Sequence, residues 1–291
     1  QYPVLVPGHH LINFNQGTIT LHLLLGDGYD SLEQLLDTNH RELSPAHGPK
    51  VDAWFLDGFS PAKNPELWHE KLFNLIAQLS CVGTSYATFT AAGVVRRGLV
   101  AQGFSVEKKA GFGHKREMIC GQFIGPVRSD IPTSKGPSAP WALPPAAAAA
   151  RSKSVAIIGG GLAGLHCAYA MARRGWQVKL IERHTELAQE ASGNAQGMLY
   201  TKLSPQPGTL NQFTLNSYLY ALRFYQQLVE DNVLSPENFN FCGLLQLSND
   251  EAGLEKLQEA FKQHPQLVNF VDPVKASELA GITITKPACY F

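Results

Sequence analysis

The stretch SVAIIGGGLAGLHCAYAMARRGWQVKLIER, Ser154 to Arg183, spaces three glycines and an acid as a bound dinucleotide would require. An apolar run ends at Gly159, which makes a tight turn. Gly161 lets backbone approach a pyrophosphate, and Gly164 lets the following helix pack closely on the strand. The helix N-terminus stabilises the anion, and Glu182, 18 residues beyond Gly164, can accept hydrogen bonds from a ribose diol. A second stretch, DAWFLDGFSPAKNPELW, Asp52 to Trp68, ends an apolar run on Asp57. A carboxylate there can orient a primary amine, stabilise the cation that forms as the nitrogen takes a methyl group, and accept the proton. Gly58 allows the sharp turn, Phe59 offers a flat apolar face and Pro61 stiffens the loop. Taken alone, Asp57 is more commonly an acid that caps its own turn.

The elements that must carry these residues alternate. Gly17–Asp27 reads as a strand, Asp30–Asp37 as a short helix and Val51–Asp57 as a buried strand. Asn64 is a good N-cap with Pro65 at the first helical position, and Leu67, Leu72, Leu75, Ile76 and Leu79 predict one helix after it. A strand over Ser85–Thr90, a helix over Ala91–Gln102 and two closing strands, FSVEKK and REMICGQF, complete the run. This order predicts a parallel sheet with an antiparallel edge. Such sheets bind ligands at the carboxyl ends of their strands, where Asp27 and Asp57 both fall. Downstream, Thr209 and Gln212 have capping-box spacing before a helix through Val229, whose Phe213, Tyr218, Leu222 and Tyr225 read as core. Gly243–Ser248 reads as a strand, and His166 and His184 as helix and loop residues without a special role.

With 291 residues, 44% hydrophobic and 16% charged, the chain has room for two globular domains. Gly125–Ser154, rich in Pro, Ser and Ala, predicts a semi-rigid linker. The expected division is residues 1–124, a linker over 125–153, and residues 154–291. No run reaches the roughly 18 apolar residues of a membrane span. Five cysteines, odd in number and without C-x-x-C, argue against a disulfide framework or a zinc site and for a reducing cytoplasmic setting. The net charge is zero, but residues 91–150 hold 8 Lys or Arg against 3 acids. That stretch, with Arg96, Arg97, Lys108, Lys109, Lys115 and Arg116, is either an ordinary solvated face or a phosphate-facing surface.

An acid at Glu182 disfavours a ribose 2′-phosphate, which leaves NAD and FAD. The loop LAQEASGNAQGMLY, Leu187 to Tyr200, places Ser192, Gly193, Asn194, Gln196 and Gly197 soon after the acid. It resembles the second flavin-contacting loop of FAD enzymes of the D-amino-acid-oxidase type, although a plain surface turn has the same residue types. The first half similarly resembles the second half of a Rossmann-like methyltransferase whose first strand and Gly-rich donor turn are not in this chain. The expected fold class is therefore α/β: the C-terminal half of such a methyltransferase domain, then a Rossmann-type FAD-binding domain. Both outer ends are expected to be cut short.

Taken together, DAWFLDGFSPAKNPELW, GFGHKREMICG (Gly111 to Gly121), the linker and IIGGGLAG with ASGNAQGMLY resemble the bifunctional tRNA 5-methylaminomethyl-2-thiouridine biosynthesis family over nearly the whole chain. The resemblance implies an FAD-dependent removal of a carboxymethyl group from a carboxymethylaminomethyl wobble uridine. Methylation of the exposed amine from S-adenosylmethionine follows. It puts the methyl-transfer residues on Asp57 and Phe59, with Asp27 at the adenine end of the donor. It puts the FAD residues on Gly159, Gly161, Leu162, Ala163, Gly164, Glu182 and Arg183 and on the loop Ser192, Gly193, Asn194, Gln196 and Gly197. Transfer RNA is the implied partner, met by Arg96, Arg97, Lys115 and Arg116, with no metal, no membrane and a monomeric protein. The competing expectation is an FAD-dependent amine or amino-acid oxidase with an unrelated N-terminal interaction domain; a third is a binding module without catalysis.

Overall fold

The computed structural model describes residues 4, 6–14, 18–35, 51–113, 116–125, 153–206, 208–248 and 250–291. Lys115 and almost all of the proline-rich segment therefore lie outside the described residues. The chain falls into two units: residues 26–149, and residues 150–291 together with residues 1–25.

The N-terminal residues form an antiparallel hairpin, β1 (Gly8–Phe14) with β2 (Ile19–Leu25). The strand expected over Gly17–Asp27 is present, but its ladder partner is β1, so it stands outside the sheet it was expected to begin.

Residues 26–149 hold α1 (Gly28–Glu33), β3 (Val51–Phe55), α2 (Glu70–Gln78), β4 (Ser80–Thr88), α3 (Gly93–Ala101), β5 (Glu107–Ala110) and β6 (Glu117–Gln122). The sheet order is β3-β4-β6-β5, with β3 and β4 parallel and the other two pairs antiparallel. This is the expected parallel start with an antiparallel return.

The single helix expected from Pro65 is broken in two. Asn64 caps a 3-10 turn over Pro65–Trp68, accepting from the Leu67 N–H at 3.3 Å. His69 then turns extended, and its Nδ1 accepts from the Leu72 N–H at 3.2 Å to start α2. The break is fixed by Trp68, whose indole N–H donates to the Phe59 carbonyl at 2.8 Å while its ring packs in the core. From α2, Leu72, Phe73, Leu75 and Ile76 are buried, and Phe73 lies so close to Gly98 of α3 that a Cβ there would sit 2.4 Å from its ring. Phe104 meets Tyr86 edge-on at 5.5 Å and Phe123 at 5.0 Å, completing one aromatic core under the sheet.

The other unit contains β7 (Ser154–Ile158), α4 (Leu162–Arg173), β8 (Gln177–Ile181), α5 (Thr209–Glu230), β9 (Leu245–Leu247), α6 (Glu251–Phe261), β10 (Asn269–Val271), α7 (Pro273–Ala280) and β11 (Ala288–Tyr290). β7 and β8 are parallel, β11 lies between β10 and β9, and β1 packs on α5. Gly175, at φ +76, ends α4. The capping box at Thr209 does not form: Gly208 is the N-cap, and Thr209 is already helical. Tyr218 and Leu219 of α5 are buried and Leu215 and Leu222 pack with them, but Phe213 is 67% exposed. Phe213 precedes Leu215 by two positions, which turns it roughly 200° from the buried stripe. All five cysteines are free thiols.

Gly121 of β6 tests the packing. A Cβ there would fall 1.9 Å from the Ser105 carbonyl oxygen, in a segment already tied to β6 by the Ser105 N–H donating to Gln122 O at 2.8 Å. Gly121→Ala should cost about 1–3 kcal/mol, read as a lower urea midpoint for this unit.

Candidate functional site

The carboxyl ends of β3 and β4 lie side by side because the strands are parallel, with Phe55 opposite Ala87. The Leu56 N–H donates to Ala87 O at 2.9 Å, and there the ladder stops. The Asp57 N–H turns back to Phe55 O at 3.1 Å, and Asp57 Oδ1 accepts from the Gly58 N–H at 2.8 Å. Asp57 thus caps its own turn, as the simpler expectation had it, with its carboxylate exposed to solvent. Phe59 is 72% exposed, held outward because its carbonyl is anchored by Trp68.

Asp27 occupies a similar turn. Its Oδ1 accepts from the N–H groups of Tyr29 at 2.8 Å and Asp30 at 3.0 Å, which makes it the N-cap of α1. Leu67 joins the two turns: a Cβ on Gly58 would meet its Cδ2 at 2.4 Å and a Cβ on Gly28 its Cδ1 at 3.4 Å. Two Asp-Gly turns therefore pack against one leucine. That neighbourhood was not legible in the spacing of 30 residues between the acids.

Sequence reasoning passed over the end of β4. Phe89 lies two residues past Ala87, as Asp57 lies two past Phe55, so both stand at one level of the sheet edge. Thr88 Oγ1 accepts from the Thr90 N–H and Thr90 Oγ1 from the Ala92 N–H, each at 3.3 Å, leading the chain into α3. The signal was available in the parallel pairing, which sends both strand ends to the same edge. Of the basic residues, Lys108 pairs with Glu117 at 2.7 Å and Lys109 with Glu107 at 3.4 Å. Arg96 and Arg97 stand in the first turns of α3, and Arg116 precedes β6, its carbonyl accepting from the Gly111 N–H at 3.2 Å.

The second site is the turn between β7 and α4. Gly159 has φ +100, a left-handed conformation that favours glycine, and its N–H donates to Ile181 O at 2.8 Å, closing the end of the β7–β8 pair. A Cβ on Gly164 would lie 1.8 Å from Gly159 O, so helix and turn approach as closely as the backbone allows. Glu182, just beyond β8, gathers the amides: Oε2 accepts from Gly160 N–H at 2.5 Å, and Oε1 from Arg183 N–H at 2.8 Å and His184 N–H at 3.0 Å. These bonds, from His184 first and then Gly160, hold the carboxyl below its ordinary range.

Ser192 closes the turn from the other side. It lies in a 3-10 turn over Ala191–Gly193, and its Oγ accepts from the Leu162 N–H at 3.0 Å, the first amide of α4. Glu190 ties that loop to the end of β8 by pairing with Arg183 and with His184. His184, read from the sequence as a loop residue without a special role, contacts Glu190 of that loop at 2.9 Å. Gly159, Gly161, Leu162, Gly164, Glu182, Arg183, Ser192 and Gly193 are brought together; Ala163 follows exposed in the first turn of α4. Asn194 bonds within its own turn to Ala191 O, and Gln196 and Gly197 follow in an exposed stretch. Cavities of about 300 and 350 Å³ elsewhere in this unit are lined by none of these residues.

The arrangement fits a dinucleotide. Two amides, of Gly160 and Leu162, are already met by oxygens of Glu182 and Ser192, the places a ribose diol and a phosphate would share. Side chains would crowd the turn: a Cβ on Gly161 would stand 3.0 Å from Ser192 Oγ.

Comparison with known proteins agrees in both halves. Residues 1–123 match the family described as S-adenosyl-L-methionine-dependent methyltransferase, and residues 154–289 the family described as FAD dependent oxidoreductase. A tRNA 5-methylaminomethyl-2-thiouridine biosynthesis bifunctional protein from Methylobacillus flagellatus is 42% identical over 100% of this chain and 40% of its own length. Proteins of the same name from Chromobacterium violaceum and Pseudomonas putida are 41% and 40% identical, again over 100% of this chain. The chain is a homologue of this bifunctional family over its whole length. It spans about two fifths of the length of those relatives.

The two matches join a methyltransferase region to an FAD-dependent oxidoreductase region in the order the motifs gave. The methyltransferase match begins at residue 1, so the β1–β2 hairpin belongs by sequence to that region although its contacts group it with residues 150–291. Among the described residues, no helix is long and apolar enough to cross a membrane, and no cluster of three or more His, Cys, Asp or Glu could hold a metal ion.

Two outcomes follow for the flavin turn. In the full-length protein Gly164→Val should abolish co-purifying flavin absorbance while leaving the methyltransferase region folded. Because Glu182 is held below its unfolded value, its ties to the turn persist above the ordinary carboxylate pKa, ~4.3, and are lost as pH falls through the lower folded value. Flavin retention after gel filtration should therefore stay level from neutral pH to about 5 and fall only in stronger acid.

Proposed function

We propose that the full-length protein performs two successive steps on the wobble uridine of tRNA. In the first, residues 154–291 take part in FAD-dependent removal of the carboxymethyl group from 5-carboxymethylaminomethyl-(2-thio)uridine. In the second, residues 1–124 take part in methylating the resulting aminomethyl group with S-adenosylmethionine, and residues 125–153 link the two domains. The observation that carries this reading is unbroken homology, near 40% identity, through both motif sets to relatives named for that biosynthesis.

FAD, when bound, supplies the hydride acceptor for the carbon attached to nitrogen. In this reading Gly159 to Gly164 admit its pyrophosphate, Glu182 takes the ribose diol, and the loop from Ser192 to Gly197 covers the cofactor. At the other site the substrate nitrogen must be neutral to attack. Asp57 orients it, accepts its proton and offsets the cation as the methyl arrives. Phe59 lies against the flat base, and Asp27 stands toward the adenine end of the donor. Arg96, Arg97 and Arg116, which stand at this edge, meet tRNA phosphates together with Lys115. The setting in this reading is the cytoplasm.

Asp57→Asn keeps the side chain's acceptor for Gly58 but removes the base. Methyl transfer to tRNA should fall about 10²- to 10⁴-fold, with the flavin-dependent step intact, both read by mass analysis of digested nucleosides. Arg116→Ala should weaken tRNA binding and lower the slope of log K against log salt by about 1. A full-length protein that purifies without flavin, or binds tRNA independently of salt, would overturn the reading.

A further inference from the structure

The hairpin joining β5 to β6 reaches the same sheet edge as Asp57. Thr88, the last residue of β4, pairs with Ile119 of the antiparallel β6, and β6 continues past that point to Glu117, which pairs with Ala110. The described residues of the connection, Gly111–Gly113 and Arg116, therefore lie beyond the carboxyl ends of β3 and β4. On it stands Phe112, 83% exposed, among the most exposed large apolar side chains of its unit. Two features of the turn keep it there. The Gly111 N–H donates to Arg116 O at 3.2 Å and closes the base of the turn, and Gly113 adopts φ +62, a conformation that favours glycine. Phe112 is thus held between two glycines, away from the core that takes Phe104 and Phe123.

An aromatic ring in solvent, in a turn whose base is closed by an arginine's carbonyl, leaves apolar surface that this chain's own core does not bury. It is the composition of a platform for unpaired bases, where a ring stacks and a cation meets the adjoining phosphate. The position gives the ring a target of its own. β3 and β6 are two ladder spacings apart, about 10 Å, too far for one base to touch both Phe59 and Phe112. We propose that Phe112 stacks on an unpaired base flanking the modified uridine in the tRNA loop, with Arg116 on the intervening backbone. This residue assignment rests on the tRNA reading above and adds to it a contact outside the reacting nucleoside.

The test uses full-length protein, tRNA carrying the aminomethyl group, and the free aminomethyl nucleoside as a substrate without neighbours. Phe112→Ala should raise the KM for tRNA about tenfold or more, leave kcat within twofold, and leave the rate on the nucleoside and the salt slope unchanged. Phe112→Tyr should retain wild-type KM, whereas Phe112→Leu, apolar but without a π face, should behave like Ala. Ala within twofold of wild type on tRNA, Leu as good as Tyr, or an equal loss on the free nucleoside would overturn the proposal. If Arg116→Ala weakens tRNA binding and Phe112→Ala does not, the stacking contact falls and the tRNA reading stands. If wild type shows no salt-dependent tRNA binding, both fall.

Discussion

Where a parallel strand gives way to a turn, backbone N–H groups lose their ladder partners and must find acceptors elsewhere. Both sites of this chain are built on that constraint. After β3 the acceptor for Gly58 is the carboxylate of Asp57, and ahead of α1 it is Asp27 that serves Tyr29 and Asp30. After β7 the acceptors are Glu182 and Ser192, which reach the turn from the end of β8 and the loop beyond it. In each case an oxygen needed to finish the backbone is also a group able to meet an amine, a diol or an anion.

The supports around these turns follow the same logic. Trp68 fixes Phe59 by its carbonyl, and the cost of that bond is a helix broken at His69. Leu67, in the short turn before the break, packs against both Asp-Gly corners. In the other unit Glu190 holds Arg183 and His184, so the loop bearing Ser192 and the strand end bearing Glu182 are braced together. Local regularity is given up in both places to fix the position of a polar group.

The glycine fingerprint was legible because each of its parts depends on local geometry: a left-handed residue at Gly159, a close approach at Gly164, an acid one strand later. The sheet from β3 to β6 was legible for the same reason, through strand periodicity and short connections. What escaped was set by contacts between distant segments. The β2 ladder went to β1, the Pro65 helix yielded to the Trp68 anchor, and Gly208 took the cap that Thr209 and Gln212 promised. Phe213 shows the limit at single-residue scale, since its apolar character matched the core but its angle on α5 did not. Phe89 and Phe112 became visible only when strand register sent them to the sheet edge that also carries Asp57.

Ser192 has a consequence for assembly. Its hydroxyl gives the first amide of α4 an acceptor of the chain's own, as Glu182 does for Gly160. Both donors of the turn are therefore satisfied from within the chain, by oxygens that reach it from the end of β8 and the loop beyond. The corner is thus complete only once β8 and the loop after it are in place, since its acceptors stand 22 and 30 residues further along the chain.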